Sequence, residues 1–162
     1  MSLYYQKWKS PLGNLHLVAS DECLLVVAFD ANWSDHKWRI EAGAERDTNA
    51  VIEKAKKQLV EYCEGKRREF DLPLELDGTN FQSAAWKALR KIPFGETRSY
   101  GEQAKTIRRP KAVRAIGLAN SQNPISVIVP CHRVIGKSGG LTGYAGGLKN
   151  KKRLLEIEGL GA

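Results

Sequence analysis

Residues 23–29 (CLLVVAF) form a continuous apolar run, and this run constrains the fold of the chain more than any other feature. It is rich in β-branched residues, which favours a strand that is buried on both faces. Before it, residues 3–8 and 15–18 partly alternate around Pro11 and Gly13, which favour a turn and predict a hairpin. The first part of the chain is therefore expected to hold three or more antiparallel strands.

A helix is expected to follow these strands from about Thr48, with Gly65 as its C-terminal stop. Its predicted core face consists of apolar residues at helical spacing: Val51, Ala55, Leu59 and Tyr62. Residues 66–77 have no clear periodicity, and the charge balance changes sign directly after them. We therefore place a domain boundary here, with a small N-terminal α/β domain over residues 1–77.

Residues 78–162 have the pattern of several short helices. The first is predicted over residues 81–91, ended by Pro93, with an apolar face made by Phe81, Ala85, Ala88 and Leu89. A last helix is expected over residues 148–158, closed by Gly159. Together with the N-terminal sheet, this pattern predicts an α+β protein.

Two further helices are expected on either side of residues 107–109 (IRR). Ser99 and Glu102 have the spacing of a capping box, and Pro110 suits the first turn of the next helix. Two short helices joined by a basic turn are typical of a helix-turn-helix, but an ordinary pair of antiparallel helices has the same pattern. Spacing alone leaves both interpretations open.

The charge of the chain is concentrated in its second half. The 26 Lys and Arg residues and 18 Asp and Glu residues give a net charge of +8. Residues 1–77 contain 11 basic and 14 acidic residues, a net charge of −3, whereas residues 78–162 contain 15 and 4, a net charge of +11. Such a basic half favours binding to nucleic acid, although a basic surface that only keeps the protein soluble has the same composition.

Composition also argues against several classes of protein. No apolar run approaches the roughly 18 residues that cross a bilayer, and residues 1–10 lack the apolar segment of a secretory signal, so we expect a cytoplasmic protein without a membrane partner. The three cysteines are odd in number and lack CxxC spacing, which favours neither a disulfide framework nor a zinc finger. Cys23 and Cys63 are interpreted as structural residues.

Cys131 is the candidate nucleophile. A thiolate is a soft nucleophile, and His132 or nearby positive charge can lower the pKa of the thiol. An adjacent Cys-His pair is weak evidence alone, because a buried and inert cysteine is the commoner role. Residues 125–129 (ISVIV) lead directly into this pair, and their apolar, β-branched composition predicts that a stiff element delivers it.

Residues 130–136 (PCHRVIG) resemble the active-site motif of the O6-alkylguanine-DNA alkyltransferases, also called methylated-DNA–protein-cysteine methyltransferases. The resemblance extends, in the same order along the chain, over residues 94–100, 113–117, 123–124, 143–148 and 154–159, and more loosely over residues 10–13. Several motifs in order across most of the chain are far more specific than one.

The resemblance implies a Cys-His-Glu relay. Cys131 is the implied alkyl acceptor, His132 the base that removes its proton through a water, and Glu158 the group that orients the histidine. Without the resemblance, Glu158 would be interpreted as a solvated carboxylate at a helix end.

The same resemblance assigns roles around the relay. Asn123 is implied to tie the recognition helix to the active-site turn, and Tyr144 to donate its hydroxyl to the departing purine. Without the resemblance, these residues are a simple Asn-Pro turn and a loop aromatic. Arg114 is implied to fill the space left by the everted base and Tyr100 to promote rotation of the target phosphate, while Ala115 and Gly117 are implied to bind DNA by close approach. Without the resemblance, Arg114 would be a phosphate contact or a solvated charge. Small residues on that helix suit a close approach to the minor groove, although they equally suit helix packing.

The implied activity is one irreversible alkyl transfer per molecule from O6-alkylguanine in double-stranded DNA, by a monomer without cofactor or metal. O4-alkylthymine is a further candidate substrate. Some family members hold a structural zinc, but the Cys and His residues of the N-terminal half do not match that site. Ala145 stands where some members have serine, which leaves hydrogen bonding in this loop and the tolerance of bulkier alkyl groups open.

Two other functions compete with alkyl transfer. An alkyltransferase-like protein that flags damage without transfer lacks the acceptor cysteine, whereas Cys131 is present here. A helix-turn-helix transcription factor with an incidental thiol would prefer a particular DNA sequence, whereas a repair protein binds any duplex in a salt-dependent way.

Overall fold

The structure is a computed structural model that describes residues 2–137 and 143–160. The chain divides into two compact units, Met1–Leu76 and Asp77–Ala162. The first unit is built around a sheet and the second is mostly helical, which confirms the predicted α+β class. None of the helices in the described ranges is long and apolar enough to cross a membrane.

The first unit contains a four-stranded sheet in the order β3-β2-β1-β4. Strands β1 (Leu3–Ser10), β2 (Gly13–Ser20) and β3 (Leu24–Phe29) are antiparallel, as predicted, and Pro11 and Leu12 form the turn of the first hairpin. Every residue of β3 is buried, as its composition predicts. The short strand β4 (Glu45–Arg46) pairs with β1 in parallel, which the sequence pattern did not indicate.

Two segments cover the sheet. A one-turn helix α1 (Trp38–Glu41) precedes β4, and helix α2 (Ala50–Cys63) follows it. Residues 66–76, which have no regular periodicity, contribute a bridge to the edge of β3, where Leu24 N donates to Pro73 O (2.8 Å) and Glu75 N donates to Leu24 O (3.0 Å). Their irregular sequence is therefore compatible with an ordered edge.

The predicted start and core face of α2 are partly wrong. The Asn49 side chain caps the helix by accepting from Ile52 N (3.0 Å), so the helix begins at Ala50 rather than near Thr48. This cap sets the helix so that Ile52 is buried while Val51 is only half-buried. Gln58 is also buried, because its amide exchanges two hydrogen bonds with the backbone of Asp71.

The second unit contains four α-helices in the described ranges and a short parallel pair of strands. The helices are α3 (Asn80–Arg90), α4 (Tyr100–Thr106), α5 (Val113–Ser121) and α6 (Leu148–Ile157). The strands β5 (Arg98–Ser99) and β6 (Val134–Ile135) pair with each other. Ala85, Ala104, Ile116 and Ala119 form a core between α3, α4 and α5. Trp86, absent from the predicted face of α3, is buried and donates to Ala119 O (2.9 Å).

Two predicted helix ends of the second unit, at Ser99 and Gly159, are confirmed, and a third is not. Ser99 and Glu102 form the predicted capping box of α4, and Gly159, with a φ of +80°, follows α6. The prediction that Pro110 opens the next helix is wrong. Arg108 has a φ of +60° and Ala112 N bonds to Arg109 O, so Pro110 lies in a turn and α5 begins at Val113.

Residues 125–129 form neither a regular strand nor a helix, although their composition predicts a stiff element. They form consecutive buried turns in which Val129 N donates to Ile125 O (3.0 Å) and Val127 has a φ of +72°. Their apolar, β-branched side chains reflect burial rather than a strand. The Asn123 side chain bonds to both ends of the segment, accepting from Ile125 N (3.0 Å) and donating to Val129 O (2.8 Å).

Candidate active site

Cys131 lies at the base of a cavity in the second unit. It begins a one-turn 3-10 helix, Cys131–Arg133, and only 8% of its surface is exposed. The cavity has a volume of about 330 Å³. Besides Cys131 it is lined by residues of α4 and α5 and of the loop before α6: Tyr100, Gly117, Asn120, Ser121, Gly143, Tyr144 and Ala145. A planar group that enters this cavity therefore meets the sulfur.

Asn123 holds the turn that carries Cys131. Its Nδ2 group donates to Val129 O (2.8 Å) and lies 3.2 Å from Cys131 Sγ, and its Oδ1 accepts from Ile125 N (3.0 Å). The residue is buried directly after α5. One amide thus fixes the start and the end of the turn and contacts the sulfur, which is a use of both donor and acceptor groups of asparagine.

The Cys131 thiol is protonated at rest. Burial raises its pKa, and this effect outweighs the interactions of Asn123, Tyr144 and Lys151 with the sulfur, which act to lower the pKa. A base is therefore needed to form the thiolate at neutral pH.

His132 and Glu158 form a fully buried pair beside the thiol. His132 Nε2 and Glu158 Oε2 are 2.6 Å apart. Glu158 also accepts from Arg133 Nε (2.8 Å), Arg133 Nη2 (3.1 Å) and Gly95 N (3.0 Å). Burial alone would raise the pKa of Glu158, but the hydrogen bonds and charges of these neighbours lower it to about 2. The carboxylate is therefore ionised at neutral pH.

An ionised Glu158 fixes the proton of the neutral imidazole on Nε2 and leaves Nδ1 as the basic nitrogen. Nδ1 is buried and accepts no hydrogen bond from the described residues. Burial lowers the pKa of His132 more than Glu158 raises it, so the ring is neutral at pH 7. The pair can therefore accept a proton and stabilise the resulting imidazolium through Glu158.

Two charged residues of the site were not predicted from the sequence. Arg133 is buried, donates to Ile92 O (2.7 Å) and pairs with Glu158. Lys151 is fully buried, donates from Nζ to Val134 O (2.8 Å) and acts electrostatically on Cys131. Burial lowers the pKa of Lys151. The helical spacing of Lys151 with Leu154 and Leu155 on the buried face of α6 is the signal that could have identified it.

The structure divides the predicted site residues into three groups. The residues gathered around the sulfur and its histidine are Cys131, His132, Glu158, Asn123 and Tyr144. Tyr100 and Gly117 line the cavity, and the Tyr100 ring lies 4.0 Å from the position that a Cβ at Gly117 would take. Arg114 and Ala115 lie on the exposed side of α5, outside the lining. Within the described ranges, no three His, Cys, Asp or Glu side chains are grouped as metal ligands.

Known protein families match both units. The family described as "6-O-methylguanine DNA methyltransferase, DNA binding domain" matches residues 80–160, and "6-O-methylguanine DNA methyltransferase, ribonuclease-like domain" matches residues 3–76. The chain belongs to the 6-O-methylguanine DNA methyltransferase family. The resemblance seen in the sequence is therefore confirmed.

Individual members of the 6-O-methylguanine DNA methyltransferase family are similar over nearly the whole chain. The methylated-DNA–protein-cysteine methyltransferase of Methanosarcina acetivorans is 47% identical over 158 residues, which covers 97% of this chain and 99% of that protein. The constitutive enzyme of Bacillus subtilis is 45% identical, covering 96% and 94%. The crystal structure of Mycobacterium tuberculosis OGT in complex with DNA has a TM-score of 0.87 at 46% identity, covering 96% and 92%.

Proposed function

We propose that this protein repairs DNA by moving one alkyl group from O6-alkylguanine in a duplex to Cys131, once per molecule and without a cofactor. The observation that carries the proposal is the Cys131 thiol at the base of a 330 Å³ cavity, with a buried His132–Glu158 pair beside it. In this proposal residues 78–162 form the DNA-binding and transfer domain, residues 1–77 form the N-terminal α/β domain, and the protein acts as a monomer in the cytoplasm. The names of the relatives support this activity.

The first step is removal of the thiol proton. His132 Nδ1 takes this proton through a bridging water, and Glu158 stabilises the imidazolium that forms. The ammonium of Lys151 and the amide of Asn123 stabilise the thiolate, since both act to lower the pKa of Cys131. The base is therefore neutral before the reaction and charged only while the thiolate exists.

The second step is an in-line displacement at the alkyl carbon. The sulfur lone pair forms the new S–C bond while the electron pair of the C–O bond goes to the O6 oxygen of guanine. Tyr144 donates a hydrogen bond to the purine as negative charge develops on it. The displaced guanine anion takes up one proton on its ring nitrogen N1 and the His132 imidazolium gives up one proton, so the products are S-alkylcysteine, neutral guanine and neutral His132. A thioether has no easy route back to a thiol, and each molecule therefore acts once.

The target nucleotide must leave the base stack before this chemistry, which costs a few kcal/mol. We assign the compensating contacts to the cavity mouth and the exposed side of α5. Arg114 fills the space left by the base, and Tyr100 promotes rotation of the target phosphate. Ala115 and Gly117 allow close approach of the helix to the duplex. The exposure of Arg114 and Ala115, and the position of Tyr100 and Gly117 at the cavity, support these roles.

The damage-flagging alternative is not favoured, because this chain keeps the acceptor sulfur and its neighbours in a site suited to transfer. A transcription factor with an incidental thiol does not account for the buried pair of His132 and Glu158. The two alternatives predict, respectively, binding without transfer and a preference for one DNA sequence.

The test is a single-turnover assay with a duplex that carries radiolabelled O6-methylguanine. We expect Cys131→Ser to abolish transfer to protein while binding of the lesion duplex is kept. Cys23→Ser is the matched control, because Cys23 lies in the other unit and is also a free thiol; we expect wild-type transfer from it. Transfer that survives in the Cys131 variant would refute the proposal.

A further inference from the structure

Leu118 is the most exposed of the large apolar side chains in the part of the chain that the structure describes. It is 60% exposed, although it lies within α5, a helix whose opposite face packs Ile116 and Ala119 into the core. A leucine left in water loses the favourable burial of its apolar side chain. Single exposed leucines are common on protein surfaces, and what distinguishes Leu118 is its position.

The position of Leu118 relates it to the cavity. Gly117 precedes it and Ser121 follows one turn later, and both line the cavity that ends at Cys131. Arg114 lies four residues before Leu118 and is also exposed, so the two side chains share one face of α5. Leu118 therefore lies on α5 next to residues that line the cavity.

A duplex is the partner that fits this face. A nucleotide that enters the cavity brings its neighbouring base pairs against the exposed side of α5, and the net charge of +11 in residues 78–162 favours a polyanion there. Once the target base has left, the neighbouring base exposes an apolar face. Apolar side chains such as leucine insert at such steps from the minor groove and partly unstack them.

We propose that Leu118 is an apolar wedge that packs against the base step next to the everted nucleotide from the minor-groove side. This inference rests on the proposed function, since it requires eversion of the target base. Leu118 thus supplies a part of the lesion affinity that does not depend on salt, whereas Arg114 supplies charge.

The first experiment measures lesion-duplex affinity at several salt concentrations. Removing an apolar contact weakens binding without changing counterion release, whereas removing a phosphate contact reduces the salt slope by about 1. We expect Leu118→Ala to weaken binding by about tenfold at every salt concentration with an unchanged slope. Leu148→Ala is the matched control, because Leu148 is 49% exposed in the same unit, at the start of α6. We expect wild-type binding from it.

The second experiment places the fluorescent base 2-aminopurine beside the lesion. Binding of the wild-type protein and of Leu148→Ala should increase the fluorescence, because the step is unstacked, and Leu118→Ala should lose most of this increase. Unchanged affinity and fluorescence in Leu118→Ala would overturn the inference. A loss of affinity accompanied by a smaller salt slope would overturn it too, because the residue would then act through charge contacts.

Transfer from the free base O6-methylguanine separates this inference from the proposed function. We expect Leu118→Ala to transfer from the free base at the wild-type rate, since the free base needs no duplex contact, and to be slower on a duplex below saturation. A wild-type protein that transfers from neither substrate would refute the proposed function, while the fluorescence result would still decide whether Leu118 unstacks DNA.

Discussion

Glu158 holds the buried part of the site together, because four hydrogen bonds end on its two oxygens. A carboxylate at the C-terminal end of a helix is ordinarily unfavourable, since it meets the negative end of the helix dipole. The donors from His132, Arg133 and Gly95 reverse this preference. The same contacts that orient the histidine therefore also stabilise the fold.

The stability of the protein should depend on pH through Glu158. A carboxyl group whose pKa is lowered from 4.5 to about 2 stabilises the fold by about 3 kcal/mol above pH 4.5, and this contribution is lost as the pH falls towards 2. We expect Glu158→Gln to be destabilised at pH 7 and the difference from wild type to shrink between pH 5 and pH 2. Urea denaturation across this range measures it, and a difference that stays constant with pH would contradict the assignment.

Lys151 should contribute to formation of the thiolate. We expect Lys151→Met, which keeps the length and the buried volume of the side chain, to raise the pKa of Cys131 further and to slow transfer about tenfold per pKa unit. Single-turnover rates at saturating lesion duplex, together with a thiol titration, measure the two effects. Lys152→Met, on the exposed side of the same helix, is the control. A slower rate in Lys151→Met with an unchanged thiol pKa would assign Lys151 a structural role instead.

The nucleophile and its proposed partners could be named because several motifs along the chain, in order, resemble those of the alkyltransferases. The sequence did not identify Arg133 and Lys151 as buried. A charged residue is interpreted as solvated unless its partners are known, and here the partners are a carboxylate 25 residues away and a backbone carbonyl 17 residues away. Such partners are fixed by tertiary structure and cannot be deduced from spacing.

At the scale of elements, α4 and α5 are joined by a buried pair of amides. Gln103 Nε2 donates to Asn120 Oδ1 (2.9 Å), and Asn120 Nδ2 donates back to Gln103 Oε1 (2.8 Å). Gln103 also donates to Ala85 O of α3 (3.1 Å). Since Asn120 lines the cavity, this pair fixes part of the cavity wall as well as the packing of the helices.

Replacing one of the two amides should lower the free energy of unfolding more than replacing both. We expect Gln103→Leu alone to lower the free energy of unfolding by about 1–3 kcal/mol, because Asn120 is left buried without its partner. The double variant Gln103→Leu with Asn120→Leu should recover part of this loss. Thermal and urea unfolding of wild type, Gln103→Leu, Asn120→Leu and the double variant complete the double-mutant cycle. Additive losses would show that the two amides do not act as a unit.

The bounds of helices and strands could be predicted where local sequence signals agree. They could not be predicted where tertiary contacts determine where an element begins. The hairpin of β1 and β2 and the capping box at Ser99 follow from turn and cap chemistry. The start of α2 depends on which side chain caps it, and the turns after Asn123 depend on hydrogen bonds to that one residue. The proline at position 110 fits both a helix start and a turn, and the left-handed Arg108 decides between them.

At the scale of the whole molecule, charge and chemistry occur in the same unit. Residues 78–162 carry the net charge of +11 and also hold Cys131 and its cavity. We expect affinity for an undamaged duplex to fall steeply with salt and to depend little on sequence. Binding to several unrelated duplexes across a salt series measures this. Strong preference for one sequence would favour the transcription-factor alternative.

The proposed repair reaction transfers one alkyl group to Cys131 per protein molecule. Intact-mass analysis followed by a peptide map, after incubation with excess duplex carrying O6-methylguanine, tests it most directly. We expect the mass to increase by one methyl group per protein molecule, located on Cys131, even when more substrate is added. An unchanged mass despite binding of the lesion, or a methyl group on another residue, would contradict it.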